Sequence, residues 1–184
     1  MVIPDAVRTT VLERIRQLDR AQRAIVMRAS VIGRRFDVEI LLATAACSEA
    51  RVRAALERAC ALQLIVADQA GDGRYAFRHA LTRDIVYAEF LAVRVKPLHR
   101  KIARMLERSL RTRGGVLEDL AYHSWAAGDA KRALRYNELA GDSAVALHAP
   151  AAAQAHYLRA RSLIDVDSAP YSRLSEKLQA LEDG

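Results

Sequence analysis

A mainly α-helical chain is predicted by three observations. Alanine supplies 35 of the 184 residues, and it has the highest helix propensity and no side-chain entropy to lose. The chain breakers are few, 8 Gly and 4 Pro. Apolar residues recur at spacings of three and four along most of the length, and the period changes in one short stretch only.

The first helix carries Val7, Val11, Ile15 and Leu18 on one face. Asp19 is placed to cap a second, which carries Ile25, Val26, Ala29 and Ile32 inward and stops at Gly33. A short third covers about 37–46. Ser48 opens a fourth, with Val52, Leu56, Ala59 and Leu62 on its apolar face. The period then changes: Leu64-Ile65-Val66-Ala67 is β-prone, Gly71-Asp72-Gly73 is a turn, and Arg74-Tyr75-Ala76-Phe77 alternates. Helices followed by one β-hairpin outline a winged helix over residues 1–96. Another helix leaves after His79 through Leu81, Ile85, Val86, Phe90 and Leu91.

Pro97 marks the expected boundary to a second domain, 97–184. Its helices fall at about 98–112, 116–127, 130–147, 150–164 and 170–182, punctuated by Gly114-Gly115, Gly128-Asp129, Pro150 and Pro170. A 34-residue period runs through them, the period of tetratricopeptide (TPR) repeats. Ala140-Gly141 fills the close-packing pair of a first helix, and Ala153, Tyr157 and Ala160 fill the triplet of a second. Small residues belong where two helix backbones approach, and an aromatic fills the hole beside them. Shifting by 34 places His123 beneath Tyr157, Ala126 beneath Ala160 and Leu106 beneath Ala140, while Asn137 stands where the first aromatic belongs. The last helix has an apolar face at Leu174, Leu178 and Leu181 and is expected to lack a partner helix. The array stops in mid-repeat, and no element precedes Val2-Ile3-Pro4, so a fragment of a larger protein is expected.

Composition narrows the function. No stretch approaches the roughly 18–20 apolar residues of a membrane span; the longest charge-free run, Ser143 to Leu158, has 16 residues and contains Pro150. With no secretory signal in sight, a soluble cytoplasmic protein is expected. Cys47 and Cys60 read as small buried apolar residues, and Trp125 as packing between helices. His79, His99, His123, His148 and His156 are scattered, without metal-ligand spacing, so no metal is expected. No nucleophile elbow or other catalytic constellation occurs, which argues against an enzyme.

The net charge of +7 is concentrated. Between residues 94 and 113 lie Arg94, Lys96, Arg100, Lys101, Arg104, Arg108, Arg111 and Arg113 against Glu107 alone. Of these, Arg100, Lys101, Arg104, Arg108 and Arg111 form a candidate contact surface; such a run can meet phosphates, but is more often a solvated helix face or one that meets acidic protein. A narrow apolar stripe beside them suits helix packing better than lipid.

The chain resembles the middle of the large bacterial STAND-type signal-transduction ATPases, found in LuxR-type or MalT-like transcriptional regulators and in multidomain adenylate/guanylate cyclases. The marks are Ile3-Pro4-Asp5, Ala29-Ser30-Val31-Ile32-Gly33-Arg34 with Phe36, Phe77-Arg78-His79-Ala80-Leu81-Thr82-Arg83, Tyr87, Leu98-His99, and Leu120-Ala121-Tyr122-His123 followed by Ala127-Gly128-Asp129. The resemblance implies a P-loop domain ahead of the winged helix, ATP or ADP bound in the parent protein, and a protein or ligand signal received by the repeats. The P-loop motif Gly-x4-Gly-Lys-Ser/Thr is absent here, so this chain needs no cofactor of its own. The resemblance makes His79, with Arg78, the nucleotide sensor: relatives carry a Met-His-Asp triplet whose histidine meets the β-phosphate of ADP. Here the triplet reads Arg78-His79-Ala80, without the aspartate. The helix from about 80 to 96 and the basic helix after it are then the expected coupling elements. The alternative is a stand-alone winged-helix DNA-binding regulator with a helical interaction domain. Its reading helix, 48–62, offers Arg51, Arg53 and Arg58, offset by Glu49 and Glu57.

Overall fold

The computed structural model describes residues 5–68, 73–90, 95–109 and 116–182. The described elements are α1 (Asp5–Arg16), α2 (Arg20–Ile32), β1 (Arg35–Asp37), α3 (Val38–Thr44), α4 (Glu49–Ala61), β2 (Ile65–Ala67), β3 (Arg74–Phe77), α5 (Ala80–Phe90), α6 (Lys96–Ser109), α7 (Leu117–Ala126), α8 (Ala130–Ala146), α9 (Pro150–Arg161) and α10 (Ala169–Glu182). They group into two compact units, Met1–Leu98 and His99–Gly184.

In the N-terminal unit, Asp19 caps α2 through a capping box: its carboxylate accepts from the Gln22 backbone N–H at 2.8 Å, and the Gln22 side chain accepts from the Asp19 N–H at 3.1 Å. Asp37 caps α3 by a single bond, its carboxylate accepting from the Glu39 N–H at 2.9 Å. Ser48 precedes α4 but makes no side-chain cap bond. The expected single hairpin is corrected to a three-stranded antiparallel sheet, in the order β1-β3-β2. Phe36 lies opposite Tyr75, and Ile65 opposite Phe77. The missed strand is only three residues long, too short for alternation to show in sequence. What holds it is Phe36, which stacks on Tyr75 at 6.0 Å and tilts against Phe77 at 5.8 Å. The core beneath is Ile25, Val26, Leu41, Val52, Leu56, Leu64 and Val86. Of the expected Gly71-Asp72-Gly73 turn, Gly71 and Asp72 lie outside the described residues; Gly73 has a left-handed φ of 70°, which only glycine adopts without strain.

The C-terminal unit consists of helices laid side by side in chain order, α7 on α8, α8 on α9 and α9 on α10. Two of its turns share one geometry. Gly128 (φ 72°) and His148 (φ 54°) each follow a helix in the left-handed region. The next N–H, of Asp129 or Ala149, donates back to Ser124 O or Ala144 O, the six-to-one bond of a Schellman ending. Asp129 then caps α8, and Pro150 starts α9 where its missing N–H costs nothing. Pro97 likewise falls in the first turn of α6, inside the helix and not ahead of it. The last helix is not bare. Leu174 and Leu178 are buried in a cluster with Ala144, Ala153, Tyr157 and Ala160, which corrects the expectation of an unpartnered α10.

Candidate functional site

In the N-terminal unit the expected sensor residues stand where β3 hands over to α5. Phe77 ends the strand with its N–H donating to Arg34 O, and the Arg78 N–H donates to Leu64 O, so the backbone is tied to both sides of the sheet. His79 is the next residue, and its carbonyl accepts from the Thr82 and Arg83 N–H groups at the start of α5. Both side chains are exposed. No acidic residue occupies the first turn of α5, so the positive end of this helix is not neutralised locally. His79 also lines a groove of about 510 Å³ with Val7, Thr10, Val11 and Arg14 of α1 and Leu81 of α5. Val7, Val11 and Leu81 give it an apolar lining, and Arg14 brings a fixed positive charge to it. Arg83, the residue that fixes α5, donates through Nε to Ser30 O of α2 at 2.8 Å and lies 4.5 Å over the Tyr87 ring.

In the C-terminal unit the structure brings the expected packing residues together. Ala140, Gly141, Ala153, Tyr157 and Ala160 are all buried. A Cβ on Gly141 would sit 2.3 Å from Tyr157 Cε1, so α8 and α9 approach as closely as they do only because position 141 is bare. The Tyr157 hydroxyl donates to Asp142 Oδ1 at 2.7 Å; burial, then this bond, pushes the phenol upward from its ordinary value. Lys177 of α10 donates to Asp142 at 2.6 Å and to Glu138 at 3.0 Å, while Arg173 grips Glu138 with two bonds of 2.8 and 2.9 Å. The hydrogen bonds from Arg173 and then Lys177 hold the Glu138 carboxyl below the usual carboxylate range. A parallel arrangement ties α6 to α8: the Tyr136 hydroxyl donates to Glu107, and Arg132 pairs with Glu107 and Asp129. The Tyr136 bond, with Arg132 adding to it, lowers the Glu107 carboxyl. Tyr136 is buried as well, at the residue before Asn137. Asn137 is itself fully buried, donating to Ala133 O and facing His156 Nδ1 at 3.2 Å.

Of the expected basic surface, Arg100, Lys101, Arg104 and Arg108 are exposed on α6, and Arg100 donates to Ala127 O at 3.4 Å; Arg111 lies outside the described residues.

Three expectations are corrected. Trp125 does not pack between helices: it is 46% exposed, with Arg159 5.4 Å from its ring. Cys47 and Cys60 are half-buried, not core residues. The histidines are not all scattered, because His99 and His123 are buried together with their Nδ1 atoms 2.7 Å apart. One ring must donate and the other accept at that distance, and Tyr122 stands edge-on to both. Their separation of 24 residues carries no motif. Among the described residues no group of three or more His, Cys, Asp or Glu side chains converges as a metal site would require, and no helix is long and apolar enough to cross a membrane. Comparison with protein-family models, with curated proteins and with solved structures gives no match to this chain.

Proposed function

We propose that this chain is a non-catalytic regulatory segment of a STAND-type signal-transduction ATPase, acting in transcriptional or cyclic-nucleotide signalling. In this reading the N-terminal unit is a winged helix that closes on the nucleotide-binding domain of the parent protein. The C-terminal unit is a set of TPR-like hairpins that receives a protein or ligand signal.

The observation that carries the reading is His79, exposed at the strand-to-helix junction beside the unneutralised start of α5. Backbone N–H groups and the helix dipole favour an anion there, and an imidazole adds a ring N–H donor. The succession helix, strand, helix, helix and hairpin from α2 to β3 supports the winged-helix reading. The bare Gly141 under the Tyr157 ring supports the TPR-like one. The DNA-binding alternative draws less support from α4, because Arg53 is held by Glu49 through two bonds of 2.8 and 2.6 Å.

The test is nucleotide release from the full-length native protein. With His79→Ala, ADP should leave roughly tenfold faster or more, the loss of one hydrogen bond to a charged group. Unchanged release would contradict the sensor role.

A further inference from the structure

The exposed face of α8 pairs each of its acids internally and leaves bases over. Glu138 and Asp142 lie on this face, and Arg173 and Lys177 of α10 neutralise them. Glu107, the one acid of α6, is taken by Tyr136 and Arg132. Lys131 on α8 and Lys101, Arg104 and Arg108 on α6 make no ion pair among the described residues and are exposed. Arg135, also exposed, rests over the Tyr136 ring at 5.5 Å and stands close enough to Glu107 to lower its carboxyl. Lys131 and Arg135 are one helical turn apart on α8 and open onto a groove of about 440 Å³ with Leu134, Leu139 and Arg173. Leu139 is 39% exposed. The groove thus sets Leu134 and Leu139 beside Lys131, which makes no ion pair among the described residues, and Arg135, while the carboxylates that line it are bound by Arg173 and Lys177.

We propose that this groove docks an acidic, leucine-bearing peptide segment of a partner protein. The proposal rests on reading the C-terminal unit as the part that receives a partner. An acidic peptide has the complementary charge and can seat apolar side chains between Leu134 and Leu139. A nucleic-acid backbone fits worse, because the half-buried Leu134 and the exposed Leu139 would be left against phosphate and sugar.

The test is fluorescence anisotropy on the whole chain with three labelled probes: a short peptide of glutamates interrupted by leucines, the same peptide with lysines in place of glutamates, and single-stranded oligothymidine. The glutamate peptide is expected to bind, more weakly as salt rises, and the lysine peptide is not. Combined Lys131→Glu and Arg135→Glu should weaken the glutamate peptide about tenfold or more, since two attractions become repulsions. Both side chains are solvent-facing, so unchanged helical circular dichroism is expected and certifies the variant. Arg51→Glu, an exposed change in the N-terminal unit, should leave binding as it was. Binding that ignores the double reversal, or equal binding of both peptides, overturns the proposal. So does preferential binding of oligothymidine. A failure here with His79→Ala still accelerating ADP release in the full-length protein would remove the acidic partner and leave the proposed function standing.

Discussion

At Gly141 a single missing methyl decides how near two helices come. The Tyr157 ring occupies the space a Cβ would need, with Cε1 at 2.3 Å and Cδ1 at 2.6 Å from that position. The ring cannot simply move aside, because its hydroxyl is fixed on Asp142 and Lys177 lies 5.4 Å over its face. Gly141→Ala should therefore cost about 1–3 kcal/mol despite alanine's better helix propensity, the usual penalty of overpacking a filled core. Urea unfolding measures it. Adding Tyr157→Leu to the alanine variant should cost less than the two single changes summed, because the clash disappears with the ring. Strict additivity would mean that the ring and position 141 do not meet. This contact was legible in the sequence, since a small residue and an aromatic at fixed repeat offsets imply it. The His99–His123 bond was not, because two polar residues on different helices carry no periodicity of their own.

At the scale of elements, the helices of the C-terminal unit are joined by buried apolar area on one side and by carboxylates on the other. Glu107 ties α6 to α8, and Glu138 ties α8 to α10. Both carboxyls are held below their ordinary value of 4.5. A group depressed in the folded state contributes stability that is fully present above its unfolded value and is lost as pH falls toward the folded one. His156, whose imidazole is lowered from 6.5 chiefly by burial, works in the same sense at higher pH, because protonating it in the folded state is penalised. Chemical denaturation followed by tyrosine fluorescence should therefore show stability falling on acidification in two stages, one beginning near 6.5 and one near 4.5. Glu138→Gln should flatten the second stage and leave the first. A second stage of unchanged slope would show that Glu138 does not anchor α10. The helix positions were readable from apolar spacing, and α10 even by its leucines. What covers those leucines was hidden, because Ala153 and Ala160 give α9 almost no apolar contrast between its faces. β1 was hidden for a different reason: three residues are fewer than a period needs to declare itself.

Over the whole molecule, the described residues form two units of different construction, helices around a small sheet and then helices alone. The change of period at residues 64–77 announced the sheet, and unbroken helical spacing announced the helices beyond it. Function was less legible than fold. The resemblance supplies His79 a role that geometry accommodates, while the basic groove beside α8 emerges only once the ion pairs are drawn and the unpaired bases left over. As proposed, this chain works inside a larger ATPase whose nucleotide is held by another domain, because no Gly-x4-Gly-Lys-Ser/Thr motif occurs in this sequence. The measurement that tests this most directly is the mass of the native polypeptide in its source cells, detected with an antibody raised against this chain, together with the nucleotide content of the captured protein. The account predicts a species several times larger than 20.4 kDa that carries bound ADP or ATP. A native product of 20.4 kDa without nucleotide would contradict it.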